Sequence, residues 1–220
     1  MAKIAYAVPD QRAFWDRWHE EHTHASHSDH SDEALQTFIH ALPKPHGSRV
    51  LEVGCGQGRE AVRLAQRGLK VSAFDYSPVA MLAAKNNAAL AGVHLDLTEH
   101  DTSQPLPYRS SVFQGVFAHL SLHYFDDIGT RGLFAEVGRV LVQRGILFFT
   151  VRSLHDPLYG KGDKIGDHIY CYEGHLRHFF EKSYVEEVLS DWDIRMAEYY
   201  DTNNRSVNPG VFIRVLAIRP

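Results

Sequence analysis

The sequence predicts an α/β fold: a doubly wound, mostly parallel seven-stranded sheet that ends in a C-terminal antiparallel hairpin. Three observations carry this reading. From Arg49 onward short apolar runs alternate with helical stretches, the first of these runs feeds into three glycines at alternate positions, and the last two runs follow one another with no helix between them. Strand and helix in alternation make βαβ units, whose crossovers set neighbouring strands parallel, whereas two strands joined directly pair antiparallel.

Each element follows from its own pattern. Residues 10–21 form a helix because Phe14, Trp15 and Trp18 stand at offsets of one, three and four, largely on one face. Residues 22–32 are polar and aperiodic. Residues 33–42 repeat Leu35, Phe38, Ile39 and Leu42 at helical spacing and stop at Pro43, Pro45 and Gly47. The runs 50–53, 71–74, 93–97, 112–120 and 146–151 are buried strands, separated by helices over 59–67, 79–91 and 131–142. Residues 152–180 are irregular and rich in glycine. A helix over 183–190 leads to strands 192–200 and 211–218, parted by the turn-rich TNNRSVNPG. No repeat or linker divides the chain, which is expected to be one domain: a helical cap (1–47) on a core (48–220) that carries a substrate loop (152–180).

Composition excludes whole classes of function. With 220 residues, 44% hydrophobic and 23% charged, the chain buries a substantial core, and no apolar run approaches the ~18 residues of a membrane span. The net charge is −4 and lysine and arginine are scattered, so nothing directs the protein to nucleic acid or a membrane. An N-terminus without a signal pattern and only two cysteines, Cys55 and Cys171, lead to the expectation of a cytoplasmic protein, a monomer or homodimer. The 15 histidines are unusual: titrating near pH ~6.5, they carry the formal charge from −4 toward −4 + 15 = +11 on mild acidification.

The most informative residues are Glu52-Val53-Gly54-Cys55-Gly56-Gln57-Gly58, a strand running into glycines and then a helix. Without Cβ atoms the backbone turns sharply and approaches a ligand closely, with amides at a helix N-terminus free to receive polar atoms. Asp75 closes the next strand, where a carboxylate accepts hydrogen bonds from both ribose hydroxyls. The spacing is G-x-G-x-G rather than the G-x-G-x-x-G of dinucleotide sites. The acid Glu52 would repel a pyrophosphate yet suits a cationic, phosphate-free ligand. Taken singly, the glycines make a tight βα turn and Asp75 caps the helix that begins at Ser77-Pro78.

With these residues the chain resembles the class I S-adenosylmethionine-dependent methyltransferases, whose signature E/D-x-G-x-G-x-G and strand-ending acid it matches without departure. The resemblance runs from about Arg49 to Pro220 and implies a Rossmann-like fold that binds S-adenosylmethionine and releases S-adenosylhomocysteine. By it, Glu52, Gly54, Cys55, Gly56 and Gly58 form the cofactor loop, Asp75 takes the ribose, and Tyr76, Ser77 and Met81 are further cofactor-binding residues. His100-Asp101-Thr102 follows the third strand, with Asp101 and Thr102 at the adenine. Ala118 and His119 contact the methionine part at the exit of the fourth strand. Leu106-Pro107-Tyr108 through Val116 is similar to the family's lead into that strand, with Gln114 in place of the usual aspartate, a structural position. Glu136 through Leu141 and Gly145 resemble its connection into the fifth strand.

A sulfonium is already a good leaving group, so such an enzyme aligns an in-line attack and excludes water, adding a base only where the nucleophile must lose a proton. The acceptor is expected to be a small molecule, held by the N-terminal helix, residues 119–125 and residues 152–180. The stretch Ser153 to Gly162 followed by His178-Phe179-Phe180 resembles the tellurite-resistance and the thiopurine or thiol branches, as does the helix carrying Phe14, Trp15 and Trp18, the last beside the cofactor. His123 is the candidate base or orienting group and Tyr124 the candidate hydroxyl donor; packing is the competing role for each. His155 with Asp156, and His175 with Arg177 and His178, bind an oxyanion or face solvent. The run His19, His22, His24, His27, His30 lacks cysteines and helical patterning; a neutral surface or a lid is favoured over a metal site, and no metal is expected. The alternatives are an RNA methyltransferase of the same core and a non-catalytic S-adenosylmethionine-binding regulator; a nicotinamide dehydrogenase is disfavoured by the glycine spacing.

Overall fold

The computed structural model describes residues 11–22, 29–202 and 210–220. In chain order the elements are α1 (Arg12–Glu21), α2 (Asp29–Ala41), β1 (Arg49–Val53), α3 (Arg59–Gln66), β2 (Lys70–Asp75), α4 (Pro78–Leu90), β3 (Asp96–Glu99), β4 (Phe113–His119), α5 (Asp127–Val140), β5 (Leu141–Arg152), β6 (Asp163–Gly166), β7 (Ile169–Tyr172), β8 (His175–His178), α6 (Lys182–Val188), β9 (Asp193–Asp201) and β10 (Val211–Ile218).

The main sheet has seven strands in the order β3-β2-β1-β4-β5-β10-β9. β1 to β5 pair parallel with one another, and β10 runs antiparallel to both β5 and β9, so the sheet closes in the expected hairpin. The continuous apolar runs are explained by burial on both faces. On one face Phe117 stacks on Phe148, and Phe38 of α2 packs against Phe117. Gly115 makes this possible, since a Cβ there would lie 2.6 Å from Phe38 Cζ. On the other face Phe149 meets Phe134 of α5. α2 therefore packs on a sheet face, and α1 alone of the two N-terminal helices reaches the C-terminal edge of the strands. Gln114, where the family carries an acid, accepts the Arg49 amide at 2.7 Å and ties β4 to the start of β1.

Four boundaries differ from the sequence reading, each for a local reason. α5 begins at Asp127 because Asp126 caps it, accepting the Gly129 amide at 2.8 Å. β3 shifts to Asp96–Glu99 because the Val93 amide is drawn back to Ala88 O, closing α4 instead of opening a strand. α2 begins at Asp29, inside the stretch read as aperiodic. β5 starts at Leu141, immediately after α5, where helix was expected.

The segment 152–180 is a larger correction: in place of irregular chain it holds an antiparallel sheet in the order β6-β7-β8. Glu173 and Gly174 link β7 to β8 with φ of 55° and 73°, the pair of left-handed residues that a two-residue hairpin requires. The turn between β9 and β10 lies at 203–209, outside the described residues, and Thr202 and Gly210 close it by backbone pairing.

Candidate cofactor and acceptor cavity

The strand order reverses between β1 and β4, and a cavity of about 1320 Å³ opens above the carboxyl ends of the strands at this point. The glycine loop forms its floor. Gly54, Gly56 and Gly58 have φ of 66°, 51° and 73°, values that strain any residue with a Cβ. A Cβ at Gly54 would sit 2.5 Å from Ser121 Cβ, and one at Gly58 would sit 2.8 Å from Ala84 Cβ. The loop is thus pinned between the exit of β4 and the flank of α4. Asp75 orders it from the side, its Oδ2 accepting the Gly56 amide at 2.8 Å and its Oδ1 the Ser77 amide at 2.9 Å. Each carboxylate oxygen keeps acceptor capacity for a ligand hydroxyl.

Glu52 is buried on β1, and its Oε2 has no hydrogen-bond partner. Burial raises its carboxyl well above the usual carboxylate range, with Glu60 and then Asp75 adding to the effect. An acid left this way fits a ligand that brings donors or positive charge. Helix α1 roofs the cavity with Trp15, Trp18 and His19. It is tied down by Gln11 to Tyr124 O, by Arg12 to Glu99 at 2.7 Å, by Asp16 to Ser77 and by Gln57 to His19 O.

Of the residues assigned to the cofactor, Trp18, Glu52, Gly54, Cys55, Gly56, Asp75, Tyr76, Asp101, Thr102 and His119 line the cavity. Gly58, Ser77, Met81 and Ala118 are not on its wall. Gly58 meets Ala84, Ser77 caps α4 by accepting the Ala80 amide, Met81 lies under Cys55, and Ala118 belongs to the buried core. Their places are supporting ones. Asp101 faces the cavity while its Oδ1 accepts the Ser103 amide at 2.8 Å.

The two catalytic candidates separate. Tyr124 is on the wall, its ring stacked on His175 with centroids 4.6 Å apart and its phenol pushed up by burial. His123 is not on the wall. Leu120 adopts a φ of 57° just past β4, which breaks the strand alternation, and the His123 ring turns into the protein beside Tyr124 with neither nitrogen hydrogen-bonded. Burial holds it well below the usual imidazole range, so it is neutral.

The loop 152–180 supplies Arg152, Leu158, His175 and Arg177 to the wall, whereas His155 packs on Tyr199 and His168 on Tyr159. In the histidine run, His19 is buried in the roof and His22 stacks on Trp18; His24 and His27 lie outside the described residues, as does the side chain of His30. Among the described residues no three metal-ligating side chains gather. Sequence reasoning missed Thr150, Tyr200, Thr202, Phe212 and Arg214, which the far strands bring to the cavity. The one signal was Arg214, a lone charge within the apolar run Val-Phe-Ile-Arg-Val-Leu-Ala-Ile.

Residues 50–145 match the family model described as a methyltransferase domain. A Geobacillus sp. (strain WCH70) protein named as a methyltransferase is 26% identical over 171 residues, 72% of this chain and 69% of its own length. The ubiquinone biosynthesis O-methyltransferase of Xanthomonas axonopodis pv. citri is 28% identical over 90 residues, 41% of this chain and 38% of its own length. The crystal structure of an S-adenosylmethionine-dependent methyltransferase from Methanosarcina mazei superposes with a TM-score of 0.72 at 20% identity, covering 82% of this chain and 96% of that one, a likeness of fold. Residues 50–145 thus match a methyltransferase domain, and the chain has the fold of an S-adenosylmethionine-dependent methyltransferase, in keeping with the glycine floor, Asp75 and the unpartnered Oε2 of Glu52.

Proposed function

We propose that the protein transfers the methyl group of S-adenosylmethionine to a small-molecule acceptor. The observation that carries the proposal is a single cavity with two differently built halves: a glycine-and-carboxylate half over β1 to β3, and a separate aromatic and polar half over β4, β5 and β10. When bound, S-adenosylmethionine supplies an electrophilic methyl carbon: the acceptor's lone pair forms the new bond, the carbon–sulfur pair stays on sulfur, and S-adenosylhomocysteine leaves.

The chain's own residues orient and exclude water. The Gly54–Gly58 loop and Glu52 receive the amino-acid end of the cofactor, Asp75 the ribose and Asp101 the adenine. Trp15 and Trp18 on α1 close the cavity from solvent and strengthen every polar contact inside it. Tyr124 presents its hydroxyl on the acceptor side as a protonated donor, and His175 is held neutral beside it, so neither adds charge to the site. O-methyltransferases among the relatives support oxygen nucleophiles as the first acceptors to try.

The test is direct. S-adenosylhomocysteine should raise the melting temperature of the purified chain, and a panel of phenols, carboxylic acids, thiols and tellurite should include members that release it from S-adenosylmethionine. Binding without turnover on any panel member would favour the regulatory reading, and absence of binding would overturn the proposal.

A further inference from the structure

His19, in the last turn of α1, is set down on the glycine loop. Its Cε1 lies 3.1 Å, and its Nε2 3.8 Å, from the point where a Cβ on Gly56 would stand. The ring is on the cavity wall at 6% exposure, and its Nδ1 has no hydrogen-bond partner. A buried polar atom without a partner costs stability that a ligand's polar group can restore.

Contacts between roof and floor converge on this turn. Gln57, between the second and third glycines, donates from Nε2 to His19 O at 3.1 Å and to His22 O at 3.4 Å, so a side chain of the loop caps the carbonyl end of α1. Asn87 of α4 in turn donates to Gln57 O at 2.9 Å. His22 folds back on the helix, its ring stacked on Trp18 with centroids 4.6 Å apart. The imidazole of His19 is thereby held at a fixed place over the loop.

The loop has a use for a donor there. Of its own amides, Cys55 donates to Phe74 O at 2.9 Å, Gly56 to Asp75 Oδ2 at 2.8 Å and Gly58 to Cys55 O at 2.9 Å. These three N–H groups are engaged in holding the turn, and the side chains Glu52 and Asp75 beside them are acids. The methionine end of S-adenosylmethionine carries a carboxylate, which accepts hydrogen bonds and cannot donate them. Burial draws His19 toward its neutral form, with Asp75 and Asp16 partly offsetting that and His22 adding to it. A neutral imidazole still carries one N–H.

We infer that His19 is a cofactor-binding residue supplied by the roof helix, donating its ring N–H over Gly56 to the carboxylate at the methionine end of S-adenosylmethionine. The inference rests on the methyltransferase reading and adds to it a contact that the glycine-and-acid pattern does not contain.

The experiment is calorimetric titration of the full chain with S-adenosylhomocysteine and with 5′-methylthioadenosine, which keeps the adenosine and lacks the amino-acid end. His19→Leu should weaken S-adenosylhomocysteine about tenfold or more and leave 5′-methylthioadenosine within about twofold. His19→Asn, whose side-chain amide restores a donor, should bring S-adenosylhomocysteine back to within about threefold of the parent. Unchanged S-adenosylhomocysteine affinity in His19→Leu, or an Asn variant no better than the Leu variant, would each overturn the inference. An equal loss for both ligands would also overturn it, leaving His19 as packing in the roof. Where the parent binds 5′-methylthioadenosine too weakly to measure, the contrast between the Leu and Asn variants decides. Should His19→Leu fail to fold, nitrogen NMR of the native chain decides: the His19 ring nitrogens should shift with S-adenosylhomocysteine and not with 5′-methylthioadenosine, and an equal response would overturn the inference. Failure of the parent to bind S-adenosylhomocysteine would instead remove the methyltransferase reading, an outcome separate from all of these.

Discussion

Lowering the pH from 7.5 to 5 should remove stability through the buried histidines, and for two of them, His175 and His178, the structure sets the amount. Both are buried. Burial pushes His175 down to about 2, with Arg177 and Arg152 adding repulsion, and His178 down to about 4, with Asp127 partly offsetting burial. In the unfolded chain each returns to about 6.5 and is almost fully protonated by pH 5, while the folded chain keeps both neutral. Because the unfolded state then binds more protons, stability falls as pH falls below about 6.5, by ~1.4 kcal/mol per unit and about 2 kcal/mol for each histidine at pH 5. Together that is about 4 kcal/mol, a large share of the 5–15 kcal/mol that holds a domain folded. Glu52 works in the opposite sense: its raised carboxyl takes up a proton on folding, so acid favours the native state at that position. A single pH curve mixes these contributions, and a difference of two curves separates them. Urea unfolding of the parent and of His178→Gln at pH 7.5, 6.5, 5.5 and 5 should show the stability gap moving toward the variant by about 2 kcal/mol across the range. Curves that stay parallel within about 0.5 kcal/mol would refute the neutral, buried imidazole at this position.

Three further outcomes follow from the same geometry. Asp75→Asn puts an amide N–H against a backbone donor at Gly56 or Ser77, and should weaken S-adenosylhomocysteine at least about tenfold, ~1.4 kcal/mol; calorimetry showing unchanged affinity would take Asp75 out of the site. Gly58→Ala places a Cβ 2.8 Å from Ala84 Cβ on a backbone with φ of 73°, and should cost about 1–3 kcal/mol in urea unfolding; no loss would mean that the loop does not press on α4. Asp156→Asn leaves Arg152 in a buried position without its carboxylate and should destabilise by about 3 kcal/mol, so an unchanged melting temperature would contradict the buried ion pair.

The parallel half of the fold is legible because each of its strands is buried on both faces and so must be apolar along its whole length. Val50 to Val53 and Ile146 to Val151 need no neighbour to be recognised, apart from the acid at Glu52 and Thr150. Where that constraint lapses, the reading slips. β3 is an edge strand with one paired neighbour, and Asp-Leu-Thr-Glu carries little apolar signal; Val93, the first residue of the apolar run, closes the preceding helix. The β7–β8 hairpin hides in Glu173-Gly174, a turn pair of the same kind as Asp-Gly, inside a segment whose glycines suggest mobility rather than pairing. α5 starts four residues before the expected Arg131, at the polar Asp126 cap and Asp127, which carry no apolar periodicity.

The two halves of the cavity differ in legibility for a reason tied to chemistry. The cofactor half is built from neighbours in sequence, because a glycine loop and the strand that feeds it must be contiguous to shape one backbone turn. The opposite half is gathered from Thr150, Arg152, His175, Arg177, Phe212 and Arg214, each ordinary in its own segment and brought to one wall only once β5, β8 and β10 meet. The histidine surplus changes meaning by the same step. Composition presents 15 imidazoles as a charge that switches on in acid. The structure buries His123 and His175 beside arginines, where protonation is resisted by burial and by the neighbouring charge, and His178 beside Asp127, where burial outweighs the neighbouring carboxylate. Such an imidazole offers one donor and one acceptor without enlarging the positive charge already present, and its flat face packs on Tyr124. A lysine or arginine in its place would add repulsion; the neutral ring packs beside the guanidinium groups without adding to their charge.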